Sequence, residues 1–109
     1  GASGLELLLA LALKWGRDDD VPLARTLATV TNAPVAVLGD ALGSLAASAG
    51  RLVEGGVADV CVFDPAVSWQ LAPAALRSQG RHTPFAGHEM TGRVVCTLVA
   101  GSVAYDAAQ

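Results

Sequence analysis

From Ala58 the sequence reads Ala58-Asp59-Val60-Cys61-Val62-Phe63-Asp64-Pro65, an apolar run bracketed by two aspartates that divides the chain into differently built halves. Val60 to Phe63 are β-branched, aromatic or readily buried types, so the run predicts a strand covered on both faces. Pro65 is expected to stop it, because proline has no backbone N–H to give to a ladder. Residues before the run read mainly as helix and residues after it as strand and turn. The expectation is a locally α+β chain with this strand at the joint.

In the first half, Ser3-Gly4-Leu5-Glu6 fits a capping box, in which the serine oxygen accepts a first-turn N–H and the glutamate reaches back to the serine N–H. A helix from about Gly4 to Trp15 follows. Leu5, Leu7, Leu8, Leu9, Leu11, Leu13 and Trp15 leave it no polar face before Lys14, and a helix apolar all round belongs inside a larger protein. Gly16 offers a left-handed residue to end it, and Asp20, with Pro22 behind it, is placed to cap a second helix. Leu23, Leu27 and Val30 give that helix one apolar face, from which Arg25 and Thr29 point away. A further turn is expected from Thr31 through Leu38, ended by Gly39, and Arg51 to Glu54 reads as a short strand.

In the second half, Val67 to Leu71 alternates with period two and predicts a half-buried strand. Pro73 to Arg77 fits one helical turn, and residues 78–87 form an irregular polar loop. Thr91 to Val99 and Ser102 to Tyr105 read as strands joined by a tight turn at Ala100-Gly101, with only residues 107–109 expected to fray.

The 109 residues suffice for one modest core. Yet 52% of them are hydrophobic and only 16% charged, less charge than a small self-sufficient domain normally needs to cover its surface. Some apolar surface is therefore expected to be covered by another subunit or by the rest of the same protein. A formal charge of -3 and scattered basic residues argue against nucleic acid or an anionic membrane surface as partner. The apolar run Leu7 to Leu13 is too short to span a bilayer, so a soluble, cytoplasmic protein is expected.

Several residue types invite a chemical role, and each has a plainer one. His82 and His88 are the only histidines, too few for a metal site needing three or four converging ligands, and loop positions are expected for both. Asp59 and Asp64 flank the central strand, so alternation sends them to opposite faces and turn or backbone-capping roles are expected. Ser44, Ser68 or Ser78 lacks the Gly-x-Ser-x-Gly elbow of a nucleophilic serine. Cys61 and Cys96 lie in apolar runs without zinc or redox spacing, which predicts buried reduced thiols; Trp15 and Trp69 are read as packing residues.

Several stretches together resemble a known family. Gly50-x-Leu52-x-x-Gly55-x-x-Ala58-Asp59-Val60-x-Val62-Phe63-Asp64-Pro65 is similar to the late signature of the metal-dependent amidohydrolase superfamily. Ser78-x-Gly80-x-x-Thr83-Pro84-Phe85-x-Gly87-x-x-x-x-Gly92-x-Val94, with Thr97-x-Val99-x-Gly101-x-x-x-Tyr105, resembles the tail of dihydroorotases, allantoinases and hydantoinases, and Gly1-x-x-Gly4-Leu5-Glu6 resembles the dihydroorotase segment after the last barrel strand. His82 departs from this pattern, falling where relatives often carry asparagine.

The resemblance implies an α/β parent, a TIM-type barrel with a small β-sandwich. Residues 1–43 would be its C-terminal barrel helices and residues 44–109 its sandwich strands and connecting loops. It implies reversible cyclisation of N-carbamoyl-aspartate to dihydroorotate in pyrimidine biosynthesis, with zinc liganded upstream of Gly1 and none on this chain. The residues carried over are Gly1 and Ala2, whose backbone would lie against substrate. Implied partners are the N-terminal remainder of the same protein and further copies in a homo-oligomer. An alternative implication is a non-catalytic dihydroorotase-like subunit supporting assembly of aspartate carbamoyltransferase.

Overall fold

The computed structural model describes residues 5–77 and 79–108, apart from the side chain of Leu5. A 3-10 turn at Leu5–Leu7 leads into helix α1 (Leu8–Asp18), followed by α2 (Leu23–Ala28), α3 (Asn32–Leu38) and a kinked 3-10 segment at Gly39–Ala47. Strands β1 (Val60–Gln70), β2 (Glu89–Val99) and β3 (Ser102–Asp106) form one antiparallel sheet in the order β1-β2-β3. The chain is thus a small α+β unit, as the switch in patterning at Ala58 predicts.

The core sits where the first helix crosses the sheet. Leu7, Ala10, Leu71, Leu76 and Met90 are buried together, with Leu11, Trp69 and Phe85 packed against them. Leu13 is also buried, and its Cδ1 occupies the space that a Cβ at Gly92 of β2 would need. Leu7, Ala10 and Leu13 share one stripe, so the helix is one-sided here and not buried all round: Leu8 is 58% exposed and Trp15 43% exposed. The leucine-rich pattern overstates burial because, among the described residues, α1 is covered on one side, by the sheet, the Leu76 segment and α2. Trp15, read as a packing residue, is only partly covered within this unit.

The helix also runs past its expected end. Gly16 lies within α1, buried against Thr26, and the left-handed residue is Asp20 at φ 54. Pro22, not Asp20, takes the N-cap position of α2, and no side chain caps that helix. Its one buried residue is Thr26, which fits against the glycine and donates through Oγ1 to the Pro22 carbonyl at 3.2 Å, while Leu23 is 49% exposed. Asn32–Leu38 and the positive φ at Gly39 agree with expectation. Arg51 to Glu54 is not a strand; Arg51 folds its guanidinium back onto the Ala47 carbonyl, and Gly56 N–H bonds Val53 O at 3.0 Å. Leu23–Ala47 is apolar and long enough, by length and composition alone, to cross a membrane. It is nevertheless no continuous helix, being broken before Asn32 and again at Gly39 and Gly43, both with positive φ.

Pro65 does not end the central strand. β1 continues to Gln70, absorbing Val67 to Gln70, because it is an edge strand and the proline falls in an irregularity. Asp64 pairs with Arg93 and Ser68 with Thr91, so β1 uses four steps where β2 uses two. The Asp64 Oδ1 accepts the Ala66 N–H at 2.9 Å within this detour. Nor is β1 covered on both faces: Val60 and Phe63 are half-buried, Cys61 and Val62 exposed. The hairpin β2–β3 follows expectation, with φ of 49 at Ala100 and 82 at Gly101, the double positive φ of a type I′ turn. Ala107 and Ala108 are better anchored than predicted, since Ala107 N–H bonds Val95 O and Ala108 N–H bonds Asp106 Oδ1, each at 2.9 Å; Gln109 lies outside the described residues.

Candidate functional site

Glu6 stands in the 3-10 turn Leu5–Leu7 with which the described residues begin, next to Leu7, whose side chain is buried in the core. Seventy-one residues later, after the short turn Pro73–Ala75, the backbone becomes extended at Leu76 (ψ 138) and carries that leucine into the same core. The two stretches therefore meet side by side. Where they touch, Glu6 Oε1 accepts the backbone N–H of Arg77 at 2.9 Å. The Arg77 guanidinium in turn lies over the ring of Tyr105 on β3, 5.1 Å from its centroid. A second arginine, Arg93 on β2, sits 5.2 Å from the Trp69 ring centroid, and the Trp69 indole donates to Gly92 O at 2.8 Å. Between these groups lies an open groove of about 160 Å³ with Leu7, Ala10, Leu71 and Leu76 at its base.

The loop after Arg77 is laced to the end of β1. Thr83 is buried and its Oγ1 accepts the Phe85 N–H at 3.1 Å. Gly87 N–H bonds Leu71 O at 2.8 Å, Leu71 N–H bonds His88 O at 3.0 Å, and Gln70 Nε2 donates to Gly87 O at 3.1 Å. The Thr83-Pro84-Phe85 motif is thus a turn pinned onto the sheet, with Phe85 in the core's outer layer and the His88 ring edge-on to it at 5.8 Å.

Gly1 and Ala2, and with them the Ser3 half of the capping box, lie outside the described residues, as does Ser78. His82 and His88 are both exposed loop residues. Asp59 and Asp64 take the backbone roles expected of them: Asp59 Oδ1 accepts the Ala100 N–H at 2.8 Å, locking the left-handed turn, and Asp64 holds the β1 detour. Cys61 and Cys96 are free, but Cys61 is exposed and Cys96 half-buried, against the expectation of two buried thiols. Partial desolvation, and secondarily the neighbouring Cys96, hold the Cys61 thiol above its ordinary pKa. Ser44 and Ser68 are exposed. Among the described residues no three of His, Cys, Asp and Glu gather to hold a metal ion, so zinc finds no ligand set there.

Sequence reasoning found Glu6 but gave it only a local role, and it missed Arg77 as a backbone donor. No motif announces a long-range bond to a main-chain N–H. Fold and site together define a small α+β unit in which the turn at Leu5–Leu7 is bonded to the segment that follows Pro73–Ala75.

No family model matches the chain. Among curated proteins it is 35% identical over 105 residues to the dihydroorotase of Syntrophotalea carbinolica, a match covering 96% of this chain and 23% of that protein. It is 37% identical over 107 residues to the dihydroorotase of Geobacter sp. (strain M21), covering 98% of this chain and 24% of that protein. The dihydroorotase of Citrifermentans bemidjiense is 36% identical with the same coverage. Along nearly its whole length the chain is therefore dihydroorotase-like, in agreement with the resemblance carried by its motifs. It spans about a quarter of the length of the curated relatives it matches.

Proposed function

We propose that the chain is the C-terminal portion of a dihydroorotase-type cyclic amidohydrolase, a contributor to the reversible interconversion of N-carbamoyl-aspartate and dihydroorotate that has no turnover by itself. The observation that carries this reading is the match of 96–98% of the chain to a quarter of proteins named dihydroorotase. In the complete cytoplasmic enzyme, residues 1–43 serve as closing helices of a barrel and residues 44–109 as strands of a β-sandwich. Gly1 and Ala2 lie against substrate through their backbone. Ligands for zinc are supplied by the remainder of the polypeptide, the chain's principal partner, in a homo-oligomer that engages neither nucleic acid nor membrane.

The test is to measure zinc content and dihydroorotate turnover on the 109 residues alone and on the longer polypeptide that carries them. Expected are neither property for the short chain and both for the long one. Stoichiometric zinc with turnover on the 109 residues would sink the reading. A long polypeptide that is inactive yet co-purifies with aspartate carbamoyltransferase would replace it with a supporting, non-catalytic role.

A further inference from the structure

We propose that the groove between α1 and the sheet is a binding site for a small aryl carboxylate, its ring on the leucine floor and its carboxylate on the guanidinium groups of Arg77 and Arg93. The floor is apolar, since Leu7, Ala10, Leu71 and Leu76 are all buried members of the core. Trp69 and Tyr105, each half-buried, stand as aromatic walls above it. The space is about 160 Å³, and an apolar cavity of about 150 Å³ takes up benzene. A single ring therefore matches the volume, and the open side leaves a charged substituent at the rim.

The charge of the rim selects that substituent. Arg77 lies over the Tyr105 ring, 5.1 Å from its centroid, and Arg93 over the Trp69 ring at 5.2 Å. Each guanidinium thus spends its face on a ring and keeps its in-plane N–H donors for a ligand. Neither is paired with a carboxylate among the described residues. Of the described residues in the lining Glu6 alone is acidic, and its Oε1 accepts the Arg77 N–H; two arginines against one glutamate leave the rim positive. The chain as a whole has a formal charge of -3, so the groove is a local reversal of sign. A carboxylate can accept two parallel N–H groups from one arginine, which a cation or a neutral ring cannot do. Stacking on the aromatic rings holds both guanidiniums in place before a ligand arrives, lowering the ordering cost of binding. No group of this site has a part in the proposed reaction, so the two readings are tested separately.

The probe is phenylacetate, titrated into the 109-residue chain while the Trp69 indole N–H resonance is followed; Trp15→Phe assigns that resonance. A saturable shift is expected, with Kd of about 1 mM or below. Phenethylamine, with the opposite charge on the same ring, and acetate, which lacks the ring, should each bind at least about tenfold more weakly. Arg77→Gln and Arg93→Gln should each weaken phenylacetate by about three- to tenfold, and the double variant should show no saturation. Arg51→Gln, whose guanidinium bonds the Ala47 carbonyl and is no part of the lining, should bind as wild type does. Ala75 lines the groove and is exposed, so Ala75→Leu fills it without entering the core and should weaken binding at least about tenfold, independently of the arginines. No saturable shift up to about 10 mM, equal affinity for phenethylamine, or wild-type affinity in the double arginine variant overturns the site. The same titration on the longer polypeptide is expected to give the same Kd within about threefold. Binding seen on the 109 residues and lost in the longer polypeptide would show the groove filled by a segment of that polypeptide, and the small-molecule site would be overturned.

Discussion

A Cβ added at Gly16 would run into the Oγ1 of Thr26, with Thr26 Cγ2 at 2.8 Å and Cβ at 3.0 Å, so α1 and α2 approach as closely as a glycine allows. In an exposed helix interior, replacing glycine by alanine gains about 1 kcal/mol. Here the sign should reverse: Gly16→Ala is expected to destabilise by about 1–3 kcal/mol through overpacking, measured by chemical denaturation. Adding Thr26→Ala removes the two closest atoms, Oγ1 and Cγ2, while keeping Cβ, and should recover part of the loss, a coupling that two independent sites would not show. The same contact explains why the sequence misleads at α2. Leu23, Leu27 and Val30 announce an apolar face, but the residue buried in the space left by Gly16 is Thr26. Its hydroxyl is satisfied within the helix by the Pro22 carbonyl, so burial of this polar residue leaves no donor unmade.

At the scale of elements, the leucine-rich first helix separates two kinds of apolar position that look alike in the sequence. Leu7 is 1% exposed and belongs to the central cluster, whereas Leu8, one residue on, is 58% exposed. Leu7→Asp should abolish the cooperative unfolding transition, because an unpaired carboxylate in that cluster has nothing to compensate it. Leu8→Asp should leave the transition of this chain within about 0.5 kcal/mol, as surface substitutions generally do. Circular dichroism melts of the two variants check both. Equal damage from both would show the helix covered all round, which is what the sequence pattern alone implies. Legibility follows a rule visible in other elements. The hairpin β2–β3 was readable because Ala100-Gly101 is a local turn between alternating runs, and its boundaries are close to those expected. The fate of Pro65 was not, because whether a proline stops a strand depends on whether that strand lies at a sheet edge, and the order β1-β2-β3 is a property of the whole sheet. Glu6 lies between these cases: its place in the opening turn is written locally, and its partner at Arg77 depends on Leu7 and Leu76 reaching one core.

For the whole molecule, the decisive quantity is surface. The chain exposes 7433 Å², whereas a self-sufficient monomer of its 11.0 kDa exposes about 5,600 Å². Its radius of gyration is 15.0 Å against about 13 Å for a compact domain of this length. Part of the excess has a location. Neither α3 nor the segment Gly39–Ala47 contributes a buried residue; Val37, Leu38 and Leu45 there stand 46–85% exposed, and Leu52 beyond them is 84% exposed. An excess of roughly 1,800 Å² is more than double one partner's share of a standard protein–protein interface, the scale of an obligate contact. The low charge content read from the sequence thus reappears as uncovered apolar surface, on the helices and also on the strands, where Val62, Val95, Val99 and Val103 are exposed. If the remaining three-quarters of a dihydroorotase-length polypeptide covers it, the isolated 109 residues should bind a hydrophobic dye such as ANS and self-associate at micromolar concentration. Co-expression with the upstream part of the same polypeptide should suppress both. Val37→Asp with Leu52→Asp should lower dye binding by the isolated chain and weaken its capture by the upstream part by on the order of tenfold or more, since a buried unpaired charge is costly at such a contact. Capture that is unaffected by the double substitution would place the contact elsewhere, on Leu8 and Trp15 of α1 or on the open edge of β3, and the helical side would then have to be covered by another copy of the chain.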